Sequence, residues 1–208
     1  MRRKLTISFL GIIVFLLFVF FSYLVHKDIF TQFDFNITVK LQDNISRRFD
    51  ELFSSFSLIG SVEFVSLFLI ALLIIRRRLI GIFILFFYAS IHLFELYGKI
   101  FVSHPGPPFM FFRNNIDISF PSSYIKTGFS YPSGHSARTA FISMVIFLMV
   151  LRSKRLSNTH KMIILLGLAI FDITMFVSRI YLGEHWATDV IGGAFLGASL
   201  GLLTAFAL

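Results

Sequence analysis

The sequence predicts an all-α, polytopic membrane bundle of six transmembrane helices, with an amphipathic helix at the membrane interface. Three observations lead there. The 208 residues are 56% hydrophobic and only 14% charged, which is more apolar surface than a soluble domain of this length can hide. Six stretches approach the roughly 20 apolar residues that cross a ~30 Å hydrocarbon layer. The basic residues fall in short clusters between those stretches. The net charge of +8 is therefore a topology signal and does not indicate a nucleic-acid partner. Cys is absent, so neither disulfides nor thiolate metal sites enter the argument.

The expected spans are Leu5–Val25, Phe56–Ile75, Leu79–Tyr97, Ser136–Leu151, Met162–Ile180 and Ala187–Leu208. The first follows Met-Arg-Arg-Lys, as a signal peptide would. Its apolar core is too long for an ordinary signal and no A-x-A-like cleavage site follows, so it reads as a retained span. Between spans one and two, Leu41, Ile45, Phe49, Leu52, Phe53 and Phe56 recur at helical spacing around Asp43, Arg47, Arg48 and Asp50. This predicts an amphipathic helix, lying on the leaflet or packed over the mouth of the bundle. His104-Pro105-Gly106-Pro107-Pro108 predicts a rigid, non-helical turn. Gly193, Gly197 and Gly201 repeat at four-residue steps, a small-residue seam for close helix packing. The whole chain, 1–208, reads as one integral membrane domain, with 1–55 as first span and amphipathic segment and 56–208 as the helical core.

If the spans alternate, Arg2, Arg3, Lys4, Arg76, Arg77, Arg78, Arg152, Lys154, Arg155 and Lys161 share one side. The positive-inside rule makes that side cytoplasmic. Both termini are then inside a cell membrane, and the connections 26–55, 98–135 and 181–186 face outward.

Ionisable residues near membrane depth mark function or internal pairs. Here they gather at the outer rim. Lys99 ends span three, Tyr131-Pro132-Ser133-Gly134-His135 opens span four, Ser178-Arg179 ends span five, and His185-Trp186-Ala187-Thr188-Asp189 opens span six. His185 and Asp189 stand four apart, so the carboxylate can orient the imidazole and leave one ring nitrogen as a nucleophile. Pro132-Ser133-Gly134 leads into a helix start, where free backbone N–H groups attract an anion. His135 stands ready to protonate a leaving oxygen. Lys99 and Arg179 add positive charge. Cations outnumber anions in this set, so the ligand is expected to be a multiply charged anion, and phosphoryl transfer needs little beyond placement and charge.

The rival chemistry is a metal centre built from His104, His135, His185, Glu184, Asp189 and Asp117. No H-E-x-x-H or paired-carboxylate spacing supports it. The blander alternative is that His185–Asp189 and Lys99–Glu95 merely staple helix ends, with His92 on the same face as Glu95. Asp172, seven before Arg179, reads as a buried hydrogen-bonding partner.

The stretch Ser178 to Asp189 matches S-R-x-x-x-x-x-H-x-x-x-D at every fixed position, and Pro132 to His135 matches P-S-G-H. Together they resemble the type 2 phosphatidic acid phosphatase superfamily of membrane lipid-phosphate phosphatases. The resemblance implies that His185 attacks phosphorus and forms a phosphohistidine, Asp189 orients it, and His135 protonates the departing hydroxyl. Ser133, Gly134 and Arg179 would bind the phosphate, joined by Lys99 as the first residue of the family's K-x-x-x-x-x-x-R-P motif. No metal or other cofactor is implied. The motif's Arg is expected at position 106, where this chain has Gly106. Arg113, in the same loop, is the preferred substitute and Arg138 the other.

The expected activity is hydrolysis of a lipid phosphate or pyrophosphate of the phosphatidic acid, phosphatidylglycerol phosphate or polyprenyl diphosphate class. The partners are a membrane lipid and the bilayer. Phosphotransfer to a lipid acceptor through the same residues, and non-catalytic lipid-phosphate binding or transport, stand as alternatives. Oligomeric state is not legible in the sequence.

Overall fold

The computed structural model describes residues 2–76, 81–114 and 128–206, so Arg77, Arg78 and Asp117 lie outside the described residues. Within them the chain is all helix and connection. The helices are α1 (Arg2–His26), α2 (Thr31–Asn44), α3 (Asp50–Ser57), α4 (Val62–Arg76), α5 (Gly81–Phe101), α6 (Gly134–Arg152), α7 (Asn158–Tyr181) and α8 (Ala187–Leu203). Five of these segments are long and apolar enough to cross a membrane, α8 doing so together with the short turn that follows it. The chain is an integral membrane protein.

The remaining span departs from a single straight helix. The expected Phe56–Ile75 segment is a bent pair, Arg47–Gly60 and Val62–Leu72, that turns by 48°. The break sits at a 3-10 turn over Leu58–Gly60, after which Ser61 has extended backbone and its hydroxyl accepts from Phe64 N at 3.3 Å. A Ser before an apolar run starts a helix afresh, and here it starts α4.

The expected amphipathic helix is also divided. α2 ends at Asn44, Ile45 and Ser46 are extended, and the helical path resumes at Arg47, as a 3-10 turn over Arg47–Phe49 that leads into α3. The helical spacing of apolar residues continues across this break, but a tertiary contact wins. The Tyr181 hydroxyl, at the end of α7, bonds both Ser46 O (3.2 Å) and the Asp50 carboxylate, pinning the chain open there. α2 packs on α7 and α8, and α3 on α7, so both sit against the bundle.

α6 and α8 form the centre and are buried over most of their length, whereas only a small share of α1, α5 and α7 is buried. The α6–α8 contact is the most extensive in the molecule and α1–α8 the next. The glycine seam explains the first. Gly201 faces Met144, Gly197 faces the Ala137 carbonyl and Phe141 N, and Gly193 faces the Ser133 carbonyl, so the two backbones lie nearly in contact. On the other flank, Gly11 of α1 lies against Leu202 and the Ser199 carbonyl. The first span is thus packed into the bundle. Asp172 accepts from Ser143 Oγ at 2.6 Å, joining α7 to α6 as the sequence suggests.

At one end of the bundle Lys4 donates to Phe206 O (3.4 Å), Arg152 to Ala205 O (3.1 Å) and Lys161 to Leu151 O (3.4 Å). The ends of α5, α6, α7 and α8 that carry the candidate site residues meet at the other.

Candidate active site

α6 begins where its sequence says a helix should. Ser133 is the N-cap, with extended backbone, and its hydroxyl accepts from Ser136 N (3.5 Å) and Ser136 Oγ (3.2 Å). Ser133 N–H donates to the Asp189 carbonyl at 2.9 Å, which ties the P-S-G-H turn directly to the first turn of α8. Gly134 faces the Glu95 carboxylate at a separation no β-carbon would fit. That carboxylate accepts from Lys99 Nζ at 2.7 Å and from Arg138 Nη1 at 3.0 Å, while Arg138 Nε donates to Gly60 O at 3.0 Å. His135 packs beside Gly60.

The second half comes from the α7–α8 connection. The Arg179 carbonyl accepts from both Glu184 N and His185 N at 3.2 Å, so the loop folds back over the end of α7. Arg179 is buried and ion-paired with Glu184. His185 therefore lies in the loop and not on the helix, since α8 starts at Ala187. Its Nδ1 is nevertheless 3.2 Å from Asp189 Oδ2. The same oxygen accepts from Trp186 N at 3.0 Å, so Asp189 also caps α8. His185 is 12% exposed and Asp189 wholly buried.

Electrostatics favour a neutral nucleophile. Burial lowers the His185 pKa, the Asp189 carboxylate opposes this, and Arg179 and Lys99 push it down further. With Nδ1–H given to Asp189, the Nε2 lone pair is left for chemistry. His135 lies within electrostatic reach of Arg179, Arg138, His185 and Lys99. The structure thus brings Lys99, Ser133, Gly134, His135, Arg179, His185 and Asp189 together.

Arg113 is placed differently. Its Nη2 donates to Gln42 O at 3.2 Å, its guanidinium lies 5.0 Å from the Tyr181 ring centroid, and its N–H bonds Leu182 O at 3.0 Å. It anchors the loop to α2 and α7. Arg138, by contrast, shares Glu95 with Lys99. The charge excess read from the sequence is also smaller here, because Glu95 and Glu184 lie directly on the cations.

Three participants were not legible as such. His104 figured only among metal ligands, yet its Nδ1 meets Asp189 Oδ1 at 2.8 Å and its Nε2 faces Asp34 Oδ2 at 3.5 Å. Burial works against its charge, but the bonds to Asp189 and Asp34 outweigh that and raise its pKa to about 9. Asp34, on α2, accepts from Thr188 N (2.9 Å) and Thr188 Oγ1 (2.7 Å). Glu184, besides Arg179, accepts from Asn114 Nδ2 at 2.8 Å. No spacing rule points to Asp34, which lies 154 positions from Thr188.

Known proteins resemble this chain in sequence and in fold. The PAP2 superfamily model matches residues 79–207. Phosphatidylglycerophosphatase B of Bacillus subtilis is 35% identical over 75 residues, 36% of this chain and 37% of that protein. Dihydrosphingosine 1-phosphate phosphatase YSR3 of Saccharomyces cerevisiae is 30% identical over 77 residues, 37% of this chain and 19% of that one. The matched stretch thus spans well under half of either relative. Among solved structures, the PAP2 type phosphatidylglycerolphosphate phosphatase from Bacillus subtilis superposes with a TM-score of 0.75 at 22% identity, covering 93% of each chain. Aquifex aeolicus LpxE gives 0.60 at 22% identity, covering 83% of this chain and 94% of that one. At that identity the likeness is one of fold. With a family model matched over more than half its length, on the fold of these two structures, the chain belongs to the PAP2 superfamily.

Proposed function

We propose that this chain is a lipid-phosphate phosphatase that works through a covalent phosphohistidine on His185. The observation that carries the reading is the His185–Asp189 pair, set beside Arg179 and tied by the Ser133 N–H to the start of α6. Two of the relatives it matches are named as phosphatases of phosphorylated lipids.

In the first step His185 Nε2 attacks phosphorus and the bond from phosphorus to the lipid oxygen breaks. His135 gives that oxygen its proton. The charge developing on the transferred oxygens meets Lys99, Arg179 and the free N–H groups of the first turn of α6. As His185 becomes cationic, its Nδ1–H stays on Asp189. In the second step water attacks phosphorus and the bond to His185 Nε2 breaks; His135 takes the water's proton, and orthophosphate leaves. The chemistry as proposed is carried by these side chains with no metal.

The substrate class is a phosphate monoester or diphosphate on a membrane lipid: phosphatidic acid, phosphatidylglycerol phosphate or a polyprenyl diphosphate. Entry is lateral. Phe109, Met110 and Phe112, in the loop following His104, are 88%, 80% and 48% exposed, as side chains dipping into a leaflet would be. The site faces away from the cytoplasm, because Lys4, Arg152, Lys154, Arg155 and Lys161 mark the opposite end as the inner one.

The test is phosphate release from these lipids by purified protein, with and without chelator. Turnover is expected to be indifferent to chelator, and His185→Ala to be silent. Chelator-sensitive turnover, or activity that survives His185→Ala, would reject the mechanism.

A further inference from the structure

His104 belongs to neither matched motif, and α2 lies outside the residues matched by the family model. The two are nevertheless joined to the catalytic pair in one buried row: His185, Asp189, His104, Asp34. We propose that His104, seated between Asp189 and Asp34, is a positioning residue of this site, and that α2 is thereby part of its machinery. This rests on the function proposed above and deepens it.

The geometry gives His104 carboxylates on both sides, 2.8 Å from Nδ1 and 3.5 Å from Nε2. An imidazole can satisfy two acceptors only with a proton on each nitrogen, so this is the cationic form. Neighbouring groups contact both its ring and its backbone. The Tyr131 ring meets it edge-on at 6.4 Å, and its carbonyl accepts from Ser130 N and Ser130 Oγ at 3.0 Å. Asp34 is 1% exposed and bonded to the backbone and hydroxyl of Thr188, the residue next to Asp189. The whole row is thus referenced to one turn of α8.

Two consequences follow for the reaction. With Oδ1 of Asp189 engaged by His104, Oδ2 stays on His185 Nδ1, which fixes the tautomer that leaves Nε2 free. In the phosphohistidine state two imidazolium groups flank Asp189. Asp34 supplies the second carboxylate, so the row holds two cations and two anions. Without Asp34, His104 and the covalent intermediate would compete for one carboxylate.

The experiment measures kcat and KM on dioctanoyl phosphatidic acid in detergent for the parent chain, His185→Ala, His104→Gln, Asp34→Asn, the His104→Gln/Asp34→Asn double variant and His104→Gly. His104→Gln and Asp34→Asn should each lose about 10- to 100-fold in kcat, with KM within about 3-fold. The double variant should be no worse than the poorer single one, since both remove the same pairing. In His104→Gly, added imidazole should restore turnover, and 1-methylimidazole, which carries only one N–H even when protonated and so cannot serve both carboxylates, should not. Asp34→Asn keeps its shape and an acceptor for Thr188, so a folded variant is at hand even where a His104 substitution unfolds the chain. Unimpaired kcat in either single variant, a loss confined to KM, additive losses, or equal rescue by 1-methylimidazole would each overturn the proposal. Parent turnover that His185→Ala abolishes, with kcat of His104→Gln intact, sinks this proposal and leaves the proposed function standing. A parent chain that releases no phosphate from any of the lipid classes sinks both.

Discussion

Asp189→Asn tests the site where most of its bonds converge. The carboxylate accepts three N–H groups: His104 Nδ1 on Oδ1 at 2.8 Å, and His185 Nδ1 and Trp186 N on Oδ2 at 3.2 and 3.0 Å. An amide has one oxygen and one NH2, so it cannot serve both edges. If the NH2 faces His104, two donors oppose each other, and the imidazolium that forms on His185 meets a neutral oxygen in place of a carboxylate. If it faces His185, the Trp186 bond is lost and Nδ1 must become the acceptor. Nε2 then carries the proton and has no lone pair to attack with. Either way kcat should fall by about 10³- to 10⁴-fold, which is about 4–5.5 kcal/mol of barrier, the upper end being what the same exchange costs a Ser-His-Asp triad. Folding stability should fall less, by about 1–3 kcal/mol, because His104 keeps Asp34 and the cap oxygen survives in one orientation. Phosphate release gives kcat and thermal unfolding in detergent gives stability. A loss in kcat below about ten-fold, or a loss that appears only in KM, would refute the assignment of Asp189 as the orienting carboxylate.

The α6–α8 seam leaves no room for a side chain at Gly197, where a β-carbon would lie 2.9 Å from Phe141 N and closer still to the Ala137 carbonyl. Gly197→Leu should therefore cost about 3 kcal/mol and show as a lower unfolding temperature. Gly167, with nothing within 4 Å, is the control: Gly167→Ala should be neutral or stabilising by up to about 1 kcal/mol. The His104 pKa is raised to about 9, above an unfolded value near 6.5, so its charge stabilises the fold fully below about pH 6.5. That contribution, about 3 kcal/mol, is lost as pH climbs through about 9. Unfolding midpoints should decline across this window in the parent chain, and the decline should shrink in His104→Gln. At Gly106 the nearest atom to an added side chain is Ser130 Cβ at 3.5 Å, so Gly106→Arg should be accommodated. It should lower KM for a lipid phosphate by about ten-fold, and an unchanged KM would show that position 106 does not face the phosphate.

Much of this protein is legible in its residues. Apolar run length and the placement of Lys and Arg suffice for the membrane bundle, because a bilayer imposes length and polarity on each span separately. Gly193, Gly197 and Gly201 announce close packing by their spacing alone. Ser133 before Gly134 announces the start of α6. Where a local rule governs, the reading and the structure agree. The divided amphipathic segment is different. Its apolar spacing runs on through Ile45 and Phe49, and only the reach of Tyr181 to Ser46 and Asp50 interrupts the helix.

The two motifs were legible in the sequence, because His185 and Asp189 are near neighbours along the chain and carry their relationship in their spacing. Tertiary structure alone decided which groups stand around them. Asp34 reaches Thr188 from α2, His104 enters from the loop beyond α5, and Glu184 settles on Arg179. Arg113 docks a loop while Arg138 joins Lys99 on one carboxylate. A pairing between side chains on different helices depends on how those helices cross, and a crossing is set by the sum of many small contacts that no spacing rule along one chain encodes.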